Sequence, residues 1–380
     1  MRIGVPKENT PGETRVAIVA DTVKRMVAKK IDVSVETHAG ERSFVGDESY
    51  RAVGATIEPS ADAMFGKADV VVQIHPPSEA QIAKLKEGST IVSLLYPLTN
   101  PALVRALAAR RVTAIAADMI PRTTLAQSMD VLSSQTTAAG YHGVLLAAAA
   151  LPKFFPMLMT AAGTIPPAKV LILGAGVAGL QAIATARRLG AVVEAFDVRK
   201  AVKEQVQSLG AKFVEVEGMA DAQTAGGYAK EITEEEKQKQ ADAVKRHIAK
   251  SDACITTALI PGRRAPILIT AEMVRGMRPG SVIVDLAAEQ GGNCELCKPG
   301  QTVVENGVTI IGTTNLQSRV AVDASHMYSR IMEKLLFHML GEGALKIDLA
   351  EEITKGCVIT HNGDVVHPKV AELVTAKGAA

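Results

Sequence analysis

Short apolar runs alternate with amphipathic stretches along the amino-terminal third of the chain. The runs are rich in β-branched and aliphatic residues and predict strands, whereas the stretches between them carry apolar residues at helical spacing. Alternating strands and helices are typical of a parallel α/β domain. The predicted strands are 2–5, 32–38, 68–74, 90–95 and 112–117, and the predicted helices are 20–29, 78–85 and 101–109.

A second alternating series begins at Lys169. Its continuous aliphatic runs predict strands that are buried on both faces of a parallel sheet. The highly charged stretch 232–250 is most simply the solvated face of a helix. The predicted strands of this series are 170–173, 192–196, 213–216, 253–258, 282–286 and 309–311.

The segment after Gln317 is predicted to return to the first domain. A long helical pattern, 320–339, leads to Asn362-Gly363, a strong signal for a two-residue hairpin turn. These elements are too few to bury a core of their own. We therefore expect an α/β chain with two Rossmann-like, doubly wound parallel-sheet domains, the first of them discontinuous. The expected boundaries are 1–130 with 318–380 for the first domain and 131–317 for the second.

The composition favours a two-domain globular chain and disfavours a nucleic-acid partner. The chain has 380 residues, and its formal net charge is only +2. Aromatic residues make up 3% and Trp is absent, so neither a basic patch nor a stacking surface is obvious. The most apolar stretch, 144–162, is interrupted by Pro152, Lys153 and Pro156, so no segment is expected to span a membrane.

The four cysteines are too few to crosslink a chain of this length and favour a reducing compartment. Cys294 and Cys297 form a CxxC pair, which is either half a zinc site, a redox pair or a purely structural pair. Because no second ligand pair accompanies it, the structural interpretation is favoured. The histidines show no metal-ligand spacing, and no metal site is predicted.

A glycine-rich turn follows the first strand of the second series. The sequence Leu171-Ile172-Leu173 leads into Gly174-Ala175-Gly176-Val177-Ala178-Gly179 and then into a helical pattern. In a dinucleotide-binding turn, Gly174 would make the tight bend, Gly176 would admit the pyrophosphate and Gly179 would allow close helix–strand packing. The helix amino terminus then presents free N–H groups to the phosphates.

Asp197 is the expected ribose ligand. It lies 23 positions after Gly174, just past the second strand of the series. A carboxylate there accepts hydrogen bonds from both adenosine ribose hydroxyls and repels a 2′-phosphate, which favours NAD over NADP. Arg199 argues the other way, but the strand-end carboxylate is the closer group in this fold. The alternative is a glycine-rich turn without a nucleotide.

A polar run, 121–135, lies between the two series. Arg122, Gln127, Asp130 and Ser133 offer charge, amide and hydroxyl groups within 12 residues. By composition alone, an ordinary interdomain linker is the favoured interpretation. Its position nevertheless suits a segment that lines a crevice between two α/β domains.

Taken together, these motifs resemble the NAD(H)-binding component of proton-translocating nicotinamide nucleotide transhydrogenases and, more distantly, alanine dehydrogenase. The likeness covers nearly the whole chain, and its most specific part is the AQSMDxLSSQ run at 126–135. Two positions depart from the family pattern: Leu125 replaces a frequent arginine, and Ile232 a common methionine. The other matching segments are PKE at 6–8, GETRVA at 12–17, MTAAGT at 159–164, GGYAK at 226–230, TTALIPG at 256–262 and GGNC at 291–294.

The resemblance implies roles for individual residues. The polar run of the family surrounds the nicotinamide and its ribose, which assigns Arg122, Gln127, Asp130 and Ser133 to the active site. A family loop carries a tyrosine that closes over the nucleotide, and here that residue is Tyr228. The full set of expected NAD contacts is Gly174, Gly176, Val177, Ala178, Gly179, Asp197, Val198, Arg199, Gly227, Tyr228, Gln240 and Leu259.

The resemblance also implies an activity and an assembly. The chain is expected to bind NAD(H) and to take part in hydride transfer to or from NADP(H), coupled to proton translocation. NADP(H) would be bound by a separate subunit, and a membrane-spanning subunit would form the proton channel. The chain is expected to be a homodimer, to lie in the cytoplasm on the inner face of the cell membrane, and to be inactive in transfer without its partners.

The alternative is an amino-acid dehydrogenase of the alanine dehydrogenase type, which needs proton-transfer groups beside its substrate. The lysine and histidine of that enzyme would fall near His75 and Tyr96, whereas Arg15, which would hold a carboxylate, is retained. Arg15 is equally well explained as a domain-packing salt bridge. Transfer between two nicotinamides needs positioning without an acid or base, and the polar run offers such positioning. A nucleotide sensor without chemistry is the third possibility.

Overall fold

The computed structural model describes residues 1–216, 233–260 and 263–376. These residues form two compact units: Met1–Gln135 with the segment that begins at Gln317, and Thr136–Leu316. That 1–130 with 318–380 and 131–317 behave as separate domains stays a prediction.

The strands of the described residues, in chain order, are β1 (Arg2–Val5), β2 (Asp32–Glu36), β3 (Thr56–Glu58), β4 (Val70–Val72), β5 (Thr90–Ser93), β6 (Thr113–Ala116), β7 (Leu158–Thr160), β8 (Gly163–Ile165), β9 (Lys169–Leu173), β10 (Val192–Phe196), β11 (Lys212–Phe213), β12 (Ala253–Thr256), β13 (Val282–Asp285), β14 (Thr302–Glu305), β15 (Val308–Gly312), β16 (Val358–His361) and β17 (Asp364–Val365).

The α-helices of the same residues are α1 (Ala20–Ala28), α2 (Asp47–Arg51), α3 (Ala61–Phe65), α4 (Glu79–Lys84), α5 (Pro101–Ala109), α6 (Val131–Ala150), α7 (Val177–Arg188), α8 (Lys203–Ser208), α9 (Glu234–Ile248), α10 (Ala271–Arg275), α11 (Ala321–His338), α12 (Glu352–Cys357) and α13 (Pro368–Ala376). None of these helices is long and apolar enough to cross a membrane.

The first unit is built on one sheet that both ends of the chain complete. Its strand order is β17-β16-β6-β5-β4-β1-β2-β3, and β1 to β6 are parallel. The carboxy-terminal β16 pairs antiparallel with β6. Asn362 and Gly363 both have positive φ, 54° and 96°, as a type I′ hairpin between β16 and β17 requires. The predicted hairpin is therefore confirmed, and its two strands extend the sheet of the first unit beyond β6.

Helix α11 ties the carboxy-terminal segment to the start of the chain. Ser325 Oγ accepts a hydrogen bond from the backbone N–H of Val16 at 3.1 Å, and Ser329 Oγ accepts one from Val19 at 3.0 Å. These serines satisfy backbone donors of the loop before α1. The buried face of α11 packs in the same apolar cluster as β1 and β2.

The second unit has the strand order β11-β10-β9-β12-β13-β15-β14, in which β14 alone among the described strands of that sheet runs antiparallel. Counted within the unit, the order reverses at β9, which is the switch point where doubly wound folds bind ligands. Val170 and Ile172 pack in one apolar cluster and Leu171 and Leu173 in another, so both faces of the sheet are covered. The predicted doubly wound fold is confirmed.

The charged stretch forms α9, as predicted. Thr233 caps the helix in a reciprocal pair with Glu236, because the Thr233 side chain accepts from the Glu236 N–H and the Glu236 side chain accepts from the Thr233 N–H. One stripe, Gln240, Ala243, Val244 and Ile248, is buried, and Glu234 and Glu235 of the first turn face solvent.

Candidate functional site

The three glycines after β9 differ in the space around them. Gly174 has a φ of +100°, and an added Cβ would lie 2.5 Å from Thr257 Oγ1. At Gly179 an added Cβ would overlap the carbonyl oxygen of Gly174. At Gly176 the nearest described heavy atom, Arg199 Nη2, would be 3.9 Å away. The turn is therefore closed at its two outer glycines and open at the middle one, which is the arrangement that a close backbone approach by a ligand needs.

The open glycine is also the amino-terminal cap residue of α7. Gly176 offers no side-chain cap, so the first N–H groups of the helix keep their capacity to donate to an anion. Val177 is exposed and Ala178 is half-buried. The turn and the helix terminus together form a site suited to a phosphate group.

Gly140 supports this terminus and was not anticipated from the sequence. It lies in α6, and a Cβ on it would overlap the carbonyl oxygen of Ala178. The backbone of α6 therefore packs directly against the first turn of α7. A glycine inside a long helical pattern is the sequence signal that could have indicated such a close approach.

Asp197 follows β10 and is 6% exposed at its side chain. Its Oδ2 accepts a hydrogen bond from the backbone N–H of Ala175 in the glycine-rich turn, at 2.7 Å. It also forms a salt bridge with Arg199, whose Nη2 lies 2.7 Å from Oδ2. The acid and the arginine that argue for opposite nucleotide preferences are thus bonded to each other. Val198 between them is half-buried and packs against the core.

Asn293 organises the loop after β12. Its Oδ1 accepts from the N–H of Ala258 at 3.0 Å, and its Nδ2 donates to the Ala258 and Pro266 carbonyls at 2.9 and 2.8 Å. The backbone N–H of Asn293 donates in turn to the buried carboxylate of Asp285 at 2.7 Å. These bonds hold the loop that carries Leu259, which is 37% exposed. Asn293 belongs to the GGNC motif at 291–294, which by itself did not predict this role.

The CxxC pair lies in the same buried region. Cys294 is buried and Cys297 half-buried, and both are free thiols. Burial, reinforced by Asp285, raises the pKa of Cys294 to about 11 and that of Cys297 to about 12. A thiol that stays protonated is a poor nucleophile and a poor metal ligand. The described residues contain no group of three His, Cys, Asp or Glu side chains that could hold a metal ion. The pair has the character of a packing element.

The polar run 121–135 forms a short 3-10 turn, Ala126–Met129, and the start of α6. Asp130 accepts hydrogen bonds from the backbone N–H of Ser133 at 2.9 Å and from its hydroxyl at 2.6 Å, so the two residues together cap α6. Ala126 and Met129 anchor the turn in the core, whereas Gln127 and Arg122 are exposed. The structure therefore brings Asp130 and Ser133 together and presents Gln127 on the surface of its unit.

The remaining predicted contacts differ in accessibility. Gln240 is 8% exposed on the buried stripe of α9. Leu125, at the position where the family often has arginine, is 63% exposed. Gly227, Tyr228 and the Ile232 departure lie outside the described residues, and their roles stay predictions.

A buried charge cluster in the first unit was only partly foreseen. Arg15 donates to Glu13 through Nε (2.9 Å) and Nη2 (2.5 Å), and to Gln135 Oε1 through Nη1 (2.6 Å). Glu13 is further bonded by His75 Nε2 and by the Ser318 hydroxyl, both at 2.6 Å. These partners hold the pKa of Glu13 far below its usual range despite burial. Arg15 and Glu13 therefore form a structural ion pair within the first unit.

Glu8 lies beside this cluster and is bonded by backbone groups. It is 7% exposed and accepts from the backbone N–H groups of Ile74 at 2.5 Å and His75 at 3.4 Å. Burial outweighs these bonds and raises the pKa of Glu8 to about 7.

Replacing Glu8 by Gln is expected to make the protein more stable at pH 8 and to leave its stability unchanged at pH 4. The pKa of Glu8 in the folded state is raised from 4.5 to about 7. The contribution of protonated Glu8 to the free energy of unfolding is therefore complete below pH 4.5 and is lost as the pH rises through 7. The shift corresponds to a gain on the order of 3 kcal/mol for the variant at pH 8. Urea denaturation at both pH values measures it, with the exposed Glu342→Gln as the control. An equal effect of Glu8→Gln at pH 4 and pH 8 would contradict the assignment.

Comparison with known proteins agrees with this architecture. Residues 4–139 match the family description Alanine dehydrogenase/PNT, N-terminal domain, and residues 143–368 match Alanine dehydrogenase/PNT, C-terminal domain. The chain is 50% identical over 388 residues to the first part of NAD(P) transhydrogenase subunit alpha from Rhodospirillum rubrum, with all of both chains covered.

Two solved structures extend the comparison. The transhydrogenase from Sinorhizobium meliloti is 43% identical, with a TM-score of 0.85 over 97% of this chain and 99% of that one. An L-alanine dehydrogenase is 27% identical, with a TM-score of 0.82 over 99% of each chain. The resemblance inferred from the sequence motifs is therefore confirmed, and alanine dehydrogenase is the more distant of the two relatives.

Proposed function

Because the chain belongs to the alanine dehydrogenase/PNT family, we propose that it is the NAD(H)-binding subunit of a transhydrogenase. Its likeness to a transhydrogenase alpha subunit along the whole length supports the transhydrogenase role. The observation that carries the nucleotide function is the turn that is closed at Gly174 and Gly179 and open at Gly176.

The residues around this turn fit a dinucleotide. The Gly176 backbone and the start of α7 would hold the pyrophosphate, and Asp197 would hold the adenosine ribose. When bound, NAD(H) supplies the nicotinamide ring that carries the hydride. Contacts at Val177, Ala178, Val198, Arg199, Gly227, Tyr228, Gln240 and Leu259 belong to the same proposal.

The protein's role in the reaction is to orient its nucleotide. Hydride transfer between two nicotinamides moves no proton, so positioning supplies most of the catalysis. We assign this task to Arg122, Gln127, Asp130 and Ser133. The bonds between Asp130 and Ser133 fix the start of α6, and the anchored turn before it holds the exposed Gln127 amide on a rigid support.

The second nucleotide and the proton pathway belong to partners in this proposal. The sequence contains one complete glycine–acid unit, so NADP(H) would be bound by a separate subunit and protons would pass through a membrane-spanning one. The name subunit alpha, borne by the Rhodospirillum rubrum relative, is that of a protein with further subunits. We propose that the chain is a homodimer located in the cytoplasm, peripheral on the inner face of the cell membrane.

The geometry of the first unit does not favour amino-acid oxidation. All three guanidinium nitrogens of Arg15 donate hydrogen bonds to Glu13 or Gln135. A substrate carboxylate would therefore have to displace these partners. His75 Nε2 lies 2.6 Å from Glu13 Oε2, and this carboxylate holds the imidazole in place. Neither group is poised to serve an amino-acid substrate.

The purified chain is expected to bind NADH and to show no hydride transfer by itself. Calorimetric titration measures NADH binding, and absorbance assays follow reduction of an NADP analogue by NADH and reduction of NAD by L-alanine. Adding a separately produced NADP(H)-binding component should switch the first reaction on. Transfer at enzymatic rates by the chain alone would contradict the proposal, turnover of L-alanine would establish the dehydrogenase alternative, and NADH binding without transfer in any mixture would indicate a sensor.

A further inference from the structure

The carboxylate of Asp197 is fully engaged by protein donors. Its Oδ2 accepts from the Ala175 N–H and from Arg199 Nη2, both at 2.7 Å. Its Oδ1 accepts from the Arg199 backbone N–H and from Arg199 Nε, both at 2.9 Å. An ionised carboxylate has about four acceptor positions. The group assigned to the adenosine ribose is therefore saturated before any ribose hydroxyl reaches it.

The four donors are not equally removable. The N–H groups of Ala175 and Arg199 belong to the backbone, in the glycine-rich turn and at the start of the Lys200–Val202 turn, and they cannot leave without rearranging both. The Nε and Nη2 donors leave by rotation of one side chain, which is 15% exposed. A ribose hydroxyl that donates to Asp197 must therefore displace the Arg199 guanidinium.

The arginine also lies beside the middle glycine of the turn. Its Nη2 is the nearest described heavy atom to the open face of Gly176, at 3.9 Å from an added Cβ. A guanidinium binds phosphate oxygens through paired N–H groups. A cation so close to Asp197 offsets the repulsion that this carboxylate exerts on a 2′-phosphate.

We propose that Arg199 is a specificity-determining residue that competes with the adenosine ribose for Asp197 and weakens discrimination against a 2′-phosphate. The inference rests on the proposed NAD(H) function and goes beyond it, because the acid alone no longer sets the preference. Asp197 and Arg199 together set the nucleotide preference, because the guanidinium and the ribose hydroxyls compete for the same carboxylate oxygens.

The test is binding of NADH and NADPH to the full-length chain by calorimetric titration. Arg199→Met keeps an extended apolar side chain and removes the charge and the N–H donors. NADH should bind about 3- to 10-fold more tightly because the competitor is gone, and NADPH should bind about tenfold more weakly because the cation is gone. The ratio of the two dissociation constants should therefore rise by more than about tenfold.

Arg199→Lys is the matched control, since it keeps the cation and loses the two-nitrogen fork. It should strengthen NADH binding and leave NADPH binding near that of the unmodified protein. Weaker NADH binding in Arg199→Met would show that the arginine favours NADH binding on balance and does not compete with it, and an unchanged ratio in both variants would show that it plays no part. Either result overturns the inference. Failure of the unmodified chain to bind NADH would instead defeat the proposed function.

Discussion

Gly179→Ala is expected to destabilise the second unit severely, whereas Gly176→Ala, three residues away, is expected to fold normally and to lose nucleotide binding. A Cβ on Gly179 would overlap the Gly174 carbonyl oxygen, which also accepts the Thr257 hydroxyl at 3.0 Å. Neither the turn nor the end of β12 can move without breaking that bond. The clash is with backbone, so we expect a loss above about 3 kcal/mol, at the upper end of overpacking effects.

The Gly176 variant separates folding from binding. A Cβ there meets no described atom closer than 3.9 Å, and the φ of −75° suits alanine, so stability should change by less than about 1 kcal/mol. The methyl group would keep a pyrophosphate away from the N–H groups at the start of α7. Leaving these donors unpaired should weaken NADH binding at least about tenfold.

Urea denaturation and NADH titration of both variants measure these effects. Gly66→Ala provides a control in the first unit, at a glycine with open space around it among the described residues. If Gly176→Ala bound NADH with the affinity of the unmodified protein, the turn would not be part of the binding site. Normal stability in Gly179→Ala would mean that the helix–strand packing can relax.

Gln127→Asn is expected to slow hydride transfer in the reconstituted complex by on the order of 100-fold, the cost of misplacing a reacting group by about 1 Å. The substitution keeps the amide and withdraws it by one methylene. The turn that carries Gln127 is anchored by Ala126 and Met129, so the backbone should not move to compensate. NADH affinity should change little, because the proposed pyrophosphate and ribose contacts lie at Gly176 and Asp197.

Asp197→Ala should show the opposite pattern, with NADH binding weakened first. Single-turnover rates in the reconstituted complex and NADH titration of the isolated chain distinguish the two variants. The exposed Ser128→Ala, in the same turn, is the control for Gln127→Asn. A transfer rate within about threefold of the unmodified protein would make the polar run a linker and remove Gln127 from the catalytic assignment.

The sequence was most informative where residues adjacent along the chain set the local conformation. The strands 2–5 and 192–196 and the helix 101–109 were predicted with the bounds that the structure shows, because runs of apolar residues and Pro101 at a helix start are local signals. The strands predicted as 32–38 and 68–74 are shorter in the structure, where they span Asp32–Glu36 and Val70–Val72. β3, β7, β8 and β14 were missed because each is short and partly exposed, with no continuous apolar run.

The glycine-rich turn was predictable for the same local reason. The residues from Gly174 to Asp197 span one strand–turn–helix–strand unit, and each glycine has a steric role that its position in the motif already defines. Assignment of Arg122, Gln127, Asp130 and Ser133 came from family resemblance, since composition alone favoured a linker. The structure adds that Asp130 and Ser133 cap a helix together.

The sequence by itself determined the fold class, the dinucleotide turn and the return of the carboxy-terminal segment, all of which follow from local periodicity and from the need to bury apolar faces. Tertiary structure alone decided which polar groups are bonded to each other. Ser318 donates to Glu13 across 305 positions, and Arg15 donates to Gln135 across 120. It also decided that Arg199 would saturate Asp197, a contact two residues apart in sequence. The physical reason is that a hydrogen bond depends on distance and direction within a few tenths of an ångström, which packing sets and residue type does not.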